Sequence, residues 1–429
     1  MSRVRITGGR VVDPATGLDR VADVCIADGR IIAVGGTPPD FGADETIDAT
    51  GRVVCPGLID IAVRLREPGE EHKATIDSEA RAAVSAGITT LVCQPDTTPV
   101  MDTPSVVEMM HRRAEETGAA RVVPAGALTL GLHGEQISEM AALREAGCPV
   151  VADGGRPVAN TLFLSRALEY AATFDLPVML TPADPWLAAA GCVHDGPVAT
   201  RLGLAGIPEA AETAGLARYL AVTEQVGAPV HFGRLSTGQA LAQIRRARES
   251  GQPTTADAAI HQLFLTENDA TGFDGRFHLQ PPLRTTTDRD ALRQALADGL
   301  LDVICSDHQP HDADAKKGPF AGTASGASGL DTLLPMLLRL VDDGLVSLSA
   351  ALAAVTSNPA AILGLESGRL GEGAPADICI LDPDAVWWCR PETLRSRGKN
   401  SPFLGWELPG RVTHTLVDGR VVYRNDEAP

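Results

Sequence analysis

Asp307, His308 and His311 stand together in the run SDHQPH. A carboxylate beside two imidazoles is a set that moves protons or grips a divalent metal. Asp153 opens an Asp-Gly-Gly run, and His231 lies in VHFGRLST with Arg234 close behind. Near the N-terminus, Val53 to Leu65 alternates apolar and polar residues as a strand does, between Pro56-Gly57 and Pro68-Gly69. Side chains alternate across a strand, so Asp60, Ala62 and Arg64 share one face and Arg64 is expected to point inward. Each set also has a quieter reading. Asp307 with His308 reads as a hydrogen-bonded structural relic, His231 as a satisfied core histidine, and Asp153 as a turn opener. His72, His111, His133, His194 and His414 have no metal-type spacing and read as surface or loop residues. The eight cysteines are scattered singly with no CxxC pair, which suits small core residues better than a zinc ribbon or a disulfide framework.

The elements that must carry these residues follow from pattern. Residues 1–54 are short β-rich runs broken by turns, and Asp28-Gly29 between apolar runs signals a hairpin. From Leu58 to about Leu363 strand and helix alternate. The pattern predicts strands at 58–65, 89–94, 121–128, 149–152, 177–181, 228–232, 253–257 and 302–306. It predicts helices over 71–86, 103–117, 135–146, 160–173, 210–226, 237–249 and 289–297. Eight such repeats predict a closed parallel α/β barrel; an open doubly wound sheet would want a Gly-rich phosphate turn after the first strand, and none is present. After Leu365 the chain turns β-like again, around Asp418-Gly419. Two Gly-rich stretches, 312–329 and 399–405, read as mobile loops at the active face. Trp387-Trp388 reads as an interface patch or as a domain seam.

The totals narrow the classes. The chain has 429 residues, enough for a barrel plus an accessory domain, and 44% hydrophobic content supports a large core. A formal net charge of −18 argues against nucleic acid or an anionic membrane as partner. MSRVRITGGRVVD carries no apolar signal core, and no run is long enough to span a bilayer, so a cytoplasmic protein is expected.

The words PGLIDIAVRLREPGEE, ITTLVCQPDTTP, VADGGRPV, LFLTEND, QPPLR, SDHQPH, SNPAAILGL and GAPADICILDP occur in that order. Over nearly the whole chain they resemble the dihydroorotases of the cyclic amidohydrolase superfamily. The resemblance implies a TIM (β/α)8 barrel over 55–364, with a small β-sandwich built from 1–54 and 365–429. It also implies zinc, held by ligands at the ends of strands one, four, five, six and eight. Here those places are degenerate. Ala62, Arg64, Thr181 and Arg234 stand where the family has histidines, and only Asp153 and Asp307 remain. Gly154 occupies the next acidic position. Two oxygen ligands without an imidazole cannot select zinc, which takes about four ligands, mostly N or S. Arg64 and Arg234 are expected to take the cation's place and to pair with Asp153 and Asp307. On the substrate side, Arg66 keeps the position that grips the substrate carboxylate, His311 belongs to the same relic pocket, and Gln280 replaces an asparagine. Asp96, also in place of asparagine, is expected to repel a dianionic substrate.

The resemblance points to a non-catalytic dihydroorotase homologue without a cofactor. It would act as a structural subunit for aspartate carbamoyltransferase in pyrimidine biosynthesis, in a hetero-oligomer and with self-association as well. The alternatives are an active cyclic amidase with an atypical zinc site, and a small-molecule sensor that uses the relic pocket.

Overall fold

The structure is a computed structural model, and it describes residues 3–189 and 191–425. The predicted alternation is present as a parallel barrel. Its strands are Leu58–Val63, Ile88–Cys93, Arg121–Pro124 continuing as Gly126–Ala127, Val151–Ala152, Val178–Leu180, Val230–Phe232, Thr254–Ala259 and Val303–Cys305. The third strand hands over between neighbours at Ala125, whose N–H donates to Cys93 O at 2.9 Å while that of Gly126 donates to Val150 O at 2.9 Å. The eighth strand closes on the first. Arg64 N–H donates to His308 O (2.9 Å), and His308 N–H donates to Ala62 O (3.1 Å). Strand alternation is interrupted by an irregularity between Asp60 and Val63, so Ile61 and Ala62 join one apolar cluster with Ile59, Val92, Val123 and Val303.

Helices start where a side chain can take an orphan amide. Thr75, Asn160, Thr237 and Thr285 each accept from the first turn. Thr75 therefore starts the first helix at Ile76, not at residue 71 as the pattern suggests, and the third predicted helix shortens to Met140–Glu145.

Both chain ends build one mixed sheet of eight strands. Val53–Pro56 pairs parallel with Val4–Asp13 on one side and antiparallel with Ile378–Trp388 on the other. The sheet wraps a core of its own that includes Ile6, Val24, Ile31, Val54, Ile378 and Leu416. Asp28-Gly29 and Asp418-Gly419 turn its hairpins with φ of +51° and +77°, and of +47° and +72°, the left-handed pairs that two-residue hairpins need. Trp387 is half-buried, with Nε1–H donating to Gly410 O at 3.1 Å, whereas Trp388 is exposed.

The two Gly-rich loops make specific hydrogen bonds to their surroundings. Lys316 Nζ donates to Gly275 O (3.0 Å) and Ala324 O (2.6 Å), and Phe320 is buried. Asn400 Nδ2 bridges Gln309 O (3.0 Å) and Gly326 O (3.2 Å). All eight cysteines are buried and unpaired as disulfides.

Candidate functional site

Beyond the C-terminal ends of the strands lies a cavity of about 700 Å³. Arg64, Arg66, Asp96, Thr181, Arg234, Gln280 and His311 line it, so the barrel gathers most of the expected positions in one place. Ala62 is buried below it. Asp307 is 2% exposed and sits behind the guanidiniums.

Arg64 and Arg234 converge on one oxygen. Arg64 Nη1 lies 3.6 Å from Asp307 Oδ1, and Arg234 Nη1 donates to the same atom at 3.3 Å. Asp307 Oδ2 accepts from Gln309 Nε2 at 3.1 Å. Arg64 also donates through Nε to Asp96 Oδ2 (2.6 Å) and through Nη2 to Gly154 O (3.1 Å). Arg234 donates through Nη2 to Thr181 Oγ1. Burial pushes the Arg234 guanidinium down in pKa, but the carboxylates of Asp307, Asp153 and Asp257 outweigh this and hold it above its usual value. Gly155 makes room for both side chains. A Cβ there would come within 3.1 Å of Arg234 Nη2 and 3.3 Å of Arg64 Nη2.

The expected pairing of Asp153 is not what the chain does. Its Oδ1 accepts from Gly155 N–H (2.9 Å) and its Oδ2 from Thr181 N–H (2.8 Å), and no arginine is in ion-pair range of it among the described residues. Burial raises its pKa, so two amides satisfy it where a charge partner was expected. Asp96 also departs from expectation. Burial opposes its charge, but the Arg64 guanidinium outweighs burial and holds its carboxyl below the usual range, so its charge is compensated before any ligand meets it.

Two Arg66 nitrogens donate to fixed acceptors, and the third faces His311 Nε2, whose own N–H points to Ser325 O at 2.8 Å. Arg66 Nε donates to Pro310 O (3.1 Å), Nη1 donates to Glu70 Oε2 (3.1 Å), and Nη2 lies 3.2 Å from His311 Nε2. Burial, then the nearby Arg64 charge, lowers its pKa. Burial, with Arg66 beside it, pushes the His311 imidazole down to about 3. Arg66, Arg234 and Asp307 have φ of +64°, +59° and +46°. Such left-handed backbones cost on the order of 1 kcal/mol each, offset by bonds such as Arg234 N–H to Asp257 Oδ1 at 2.8 Å.

His308 turns out of the cavity. Its Nδ1 accepts from Gly329 N–H (3.1 Å) and its Nε2 donates to Glu79 Oε2 (2.9 Å), both deep in the core. It anchors the helix Ile76–Ser85 to the eighth strand and does not face the same space as Asp307. His231 is buried between Asp257 Oδ2 (2.7 Å) and Thr255 Oγ1 (2.9 Å). His194 is not a surface residue. It is buried in a two-residue strand, and its Nδ1 accepts from Arg284 Nη1 at 3.1 Å.

Sequence reading did not single out Arg156, Arg284 and Glu212 on the cavity wall. Arg156 and Arg284 lay in view inside VADGGRPV and QPPLR, but nothing in the spacing showed that they face inward. The donors do not fit zinc. Asp307 is shared by two guanidiniums, Asp153 is taken by amides, and no group of three or more His, Cys, Asp or Glu among the described residues is placed to hold a metal ion.

The family model described as dihydro-orotase-like matches residues 51–240. A dihydroorotase-like protein of Pseudomonas aeruginosa is 48% identical over 420 residues, covering 98% of this chain and 99% of that relative. A dihydroorotase of Syntrophotalea carbinolica is 45% identical over 422 residues, with 98% and 99% covered. Among solved structures, the L-hydantoinase (dihydropyrimidinase) from Arthrobacter aurescens superposes with a TM-score of 0.89 at 25% identity, covering 100% of this chain and 98% of that one. A D-hydantoinase structure gives 0.82 at 24% identity, covering 99% and 95%. With relatives this similar over almost every residue, and with the barrel and composite sheet in place, the chain belongs to the dihydroorotase-like family of cyclic amidohydrolases.

Proposed function

We propose that this chain is a catalytically inactive dihydroorotase homologue that serves as a structural subunit for aspartate carbamoyltransferase in pyrimidine biosynthesis. The observation that carries the first half is the pair of guanidiniums, Arg64 and Arg234, on the single oxygen of Asp307. Opening a cyclic amide at neutral pH takes an activated water and a polarised carbonyl, which in this family a metal supplies. Guanidiniums lend neither a coordination site nor a base. Asp307, the residue that would shuttle the proton, has one carboxylate oxygen facing two cations and the other on Gln309.

A barrel kept without its chemistry keeps its outer surface. The second half of the reading rests on resemblance to bacterial dihydroorotase-like chains that associate with the carbamoyltransferase and support its assembly. The test uses the full-length chain purified alone and co-expressed with the carbamoyltransferase of its own source. The expected results are co-elution as one species, carbamoyltransferase activity that depends on this chain, no zinc by elemental analysis, and no hydrolysis of dihydroorotate above background. Turnover with stoichiometric zinc would replace this reading with that of an active cyclic amidase. Separate elution with full carbamoyltransferase activity would remove the assembly role.

A further inference from the structure

The outer face of one β-ribbon carries apolar side chains out to solvent. Ile378–Trp388 and Glu407–Val417 run antiparallel, with Val386 opposite Pro409 and Trp388 opposite Glu407. The inner residues of the ribbon seal against the barrel. Leu408 and Val412 are buried, Trp387 packs on the same core, and a Cβ on Gly410 would overlap Leu338 of the helix Leu330–Asp342. Alternation then turns the residues between them outward. Val386 is 58% exposed and Trp388 48%, on either side of half-buried Trp387. Both side chains therefore stand on a firmly backed sheet, not on a loop.

Charge frames this strip in a particular order. Asp384 stands out at one end, on the irregularity between Asp382 and Val386. Asp382 Oδ1 fixes that bend by accepting from the N–H groups of Asp384 (3.0 Å) and Ala385 (3.2 Å). Arg390 stands out at the other end, its guanidinium 5.8 Å from the centre of the Trp388 ring. On the neighbouring strand Glu407 lies level with Trp388, and Arg411 lies level with Asp382. Each strand thus carries one acid and one base. Asp384 and Arg390 are centred on Trp387, and Glu407 and Arg411 on Pro409. Trp387 lies opposite Leu408, so the two midpoints are one residue apart. A half-turn about an axis in the contact plane, across the strands at that point, lays each strand on its own copy running the other way. Asp384 then meets Arg390 of the second copy, Glu407 meets Arg411, and Val386 meets Trp388. A foreign partner needs no such symmetry, whereas an isologous contact requires it. Copies of a chain with net charge −18 repel one another, so they can meet only where opposite charges face each other.

We propose that the outer face of this ribbon is a docking surface for a second copy of this chain. The contact is two-fold, with Val386 and Trp388 at its centre and the charged residues at its rim. Trp and Arg are the side chains that most often dominate such contacts. The strip is short, so the dimer is a weak one of micromolar strength, not an obligate pair. No bond is made or broken. None of these residues lines the barrel-mouth cavity, and the proposal does not rest on the carbamoyltransferase reading.

The test is sedimentation velocity on the full-length chain across protein concentration and salt. The expected result is a reversible monomer–dimer equilibrium that weakens as salt rises. Trp388→Ala, shown to be folded by circular dichroism, should weaken it by about thirtyfold. Asp384→Arg and Arg390→Asp, each alone, set like charges face to face and should weaken it by about tenfold. Mixed in equal amounts, these two variants should regain the original affinity as a heterodimer, because each reversed side chain then meets an opposite charge. A chain still monomeric at about 100 µM would overturn the proposal. So would a dimer indifferent to Trp388→Ala, or single reversals that the mixture does not rescue. Separate elution from the carbamoyltransferase would remove the assembly role and leave these affinities where they are, so the two failures are distinguishable.

Discussion

At the scale of single residues, two cations hold the floor of the barrel mouth, and removing either leaves charge stranded. Arg234→Met would leave Asp307 with Gln309 and a more distant Arg64. Breaking a buried pair in this way costs about 3–5 kcal/mol, readable as a lower midpoint in denaturant unfolding. A loss below about 1 kcal/mol would mean that the pair does not hold the floor together. Gly155→Ala should also destabilise, by about 1–2 kcal/mol from its left-handed backbone alone, with φ at +80° and two guanidiniums in the way of the new methyl. Family resemblance puts Ala62, Arg64, Thr181 and Arg234 where imidazoles are expected, and the structure brings Arg64, Thr181 and Arg234 to the wall of one cavity. The partner of Asp153 was not legible in the sequence. Whether a buried carboxylate takes a guanidinium or two amides depends on the path of the Gly154-Gly155 turn, and residue types alone do not specify that path.

At the scale of elements, the eight strands were legible because apolar β-branched runs recur between turn residues, and strand centres fell where expected. Element ends were less so. Thr75 caps a helix five residues after the predicted start, and an irregularity after Asp60 breaks a strict alternation. The sequence reading did not include the helix Leu330–Asp342, which is almost wholly buried and carries Pro335, a residue that usually breaks a helix, in its interior. His261, on the turn Ile260–Leu263 after the seventh strand, carries a pH signature. Burial pushes its imidazole down to about 4, against 6.5 when unfolded. Between those values the unfolded chain binds the extra proton, so stability falls as pH drops from 6.5 towards 4. His261→Gln should flatten that slope by up to about 1.4 kcal/mol per pH unit. Asp60, pushed up to about 6 by burial, works in the opposite sense in both proteins, so the difference between their denaturation curves isolates the histidine. Identical slopes would place His261 in contact with water.

At the scale of the whole molecule, a barrel core and a sheet core carry the packing, and among the described residues no group of three or more His, Cys, Asp or Glu is placed to hold a metal ion. Dialysis against EDTA should therefore leave the melting temperature unchanged, whereas a zinc-stabilised barrel would lose several degrees. A clear drop in a melting scan would mean a bound ion that the donor set does not account for. The barrel was legible from alternation alone, whereas the union of the two chain ends followed only from the family resemblance, since sheet pairing between distant segments leaves no local trace. That union also governs how the polypeptide emerges during translation. Residues 53–56 receive their antiparallel neighbour only when residues 378–381 have left the ribosome. Until then residues 53–56 leave an open, apolar sheet edge through the synthesis of the entire barrel. Nascent chains stalled before that point should be sticky, chaperone-dependent and readily cut by protease near the amino terminus, and they should become resistant once the last strands are released.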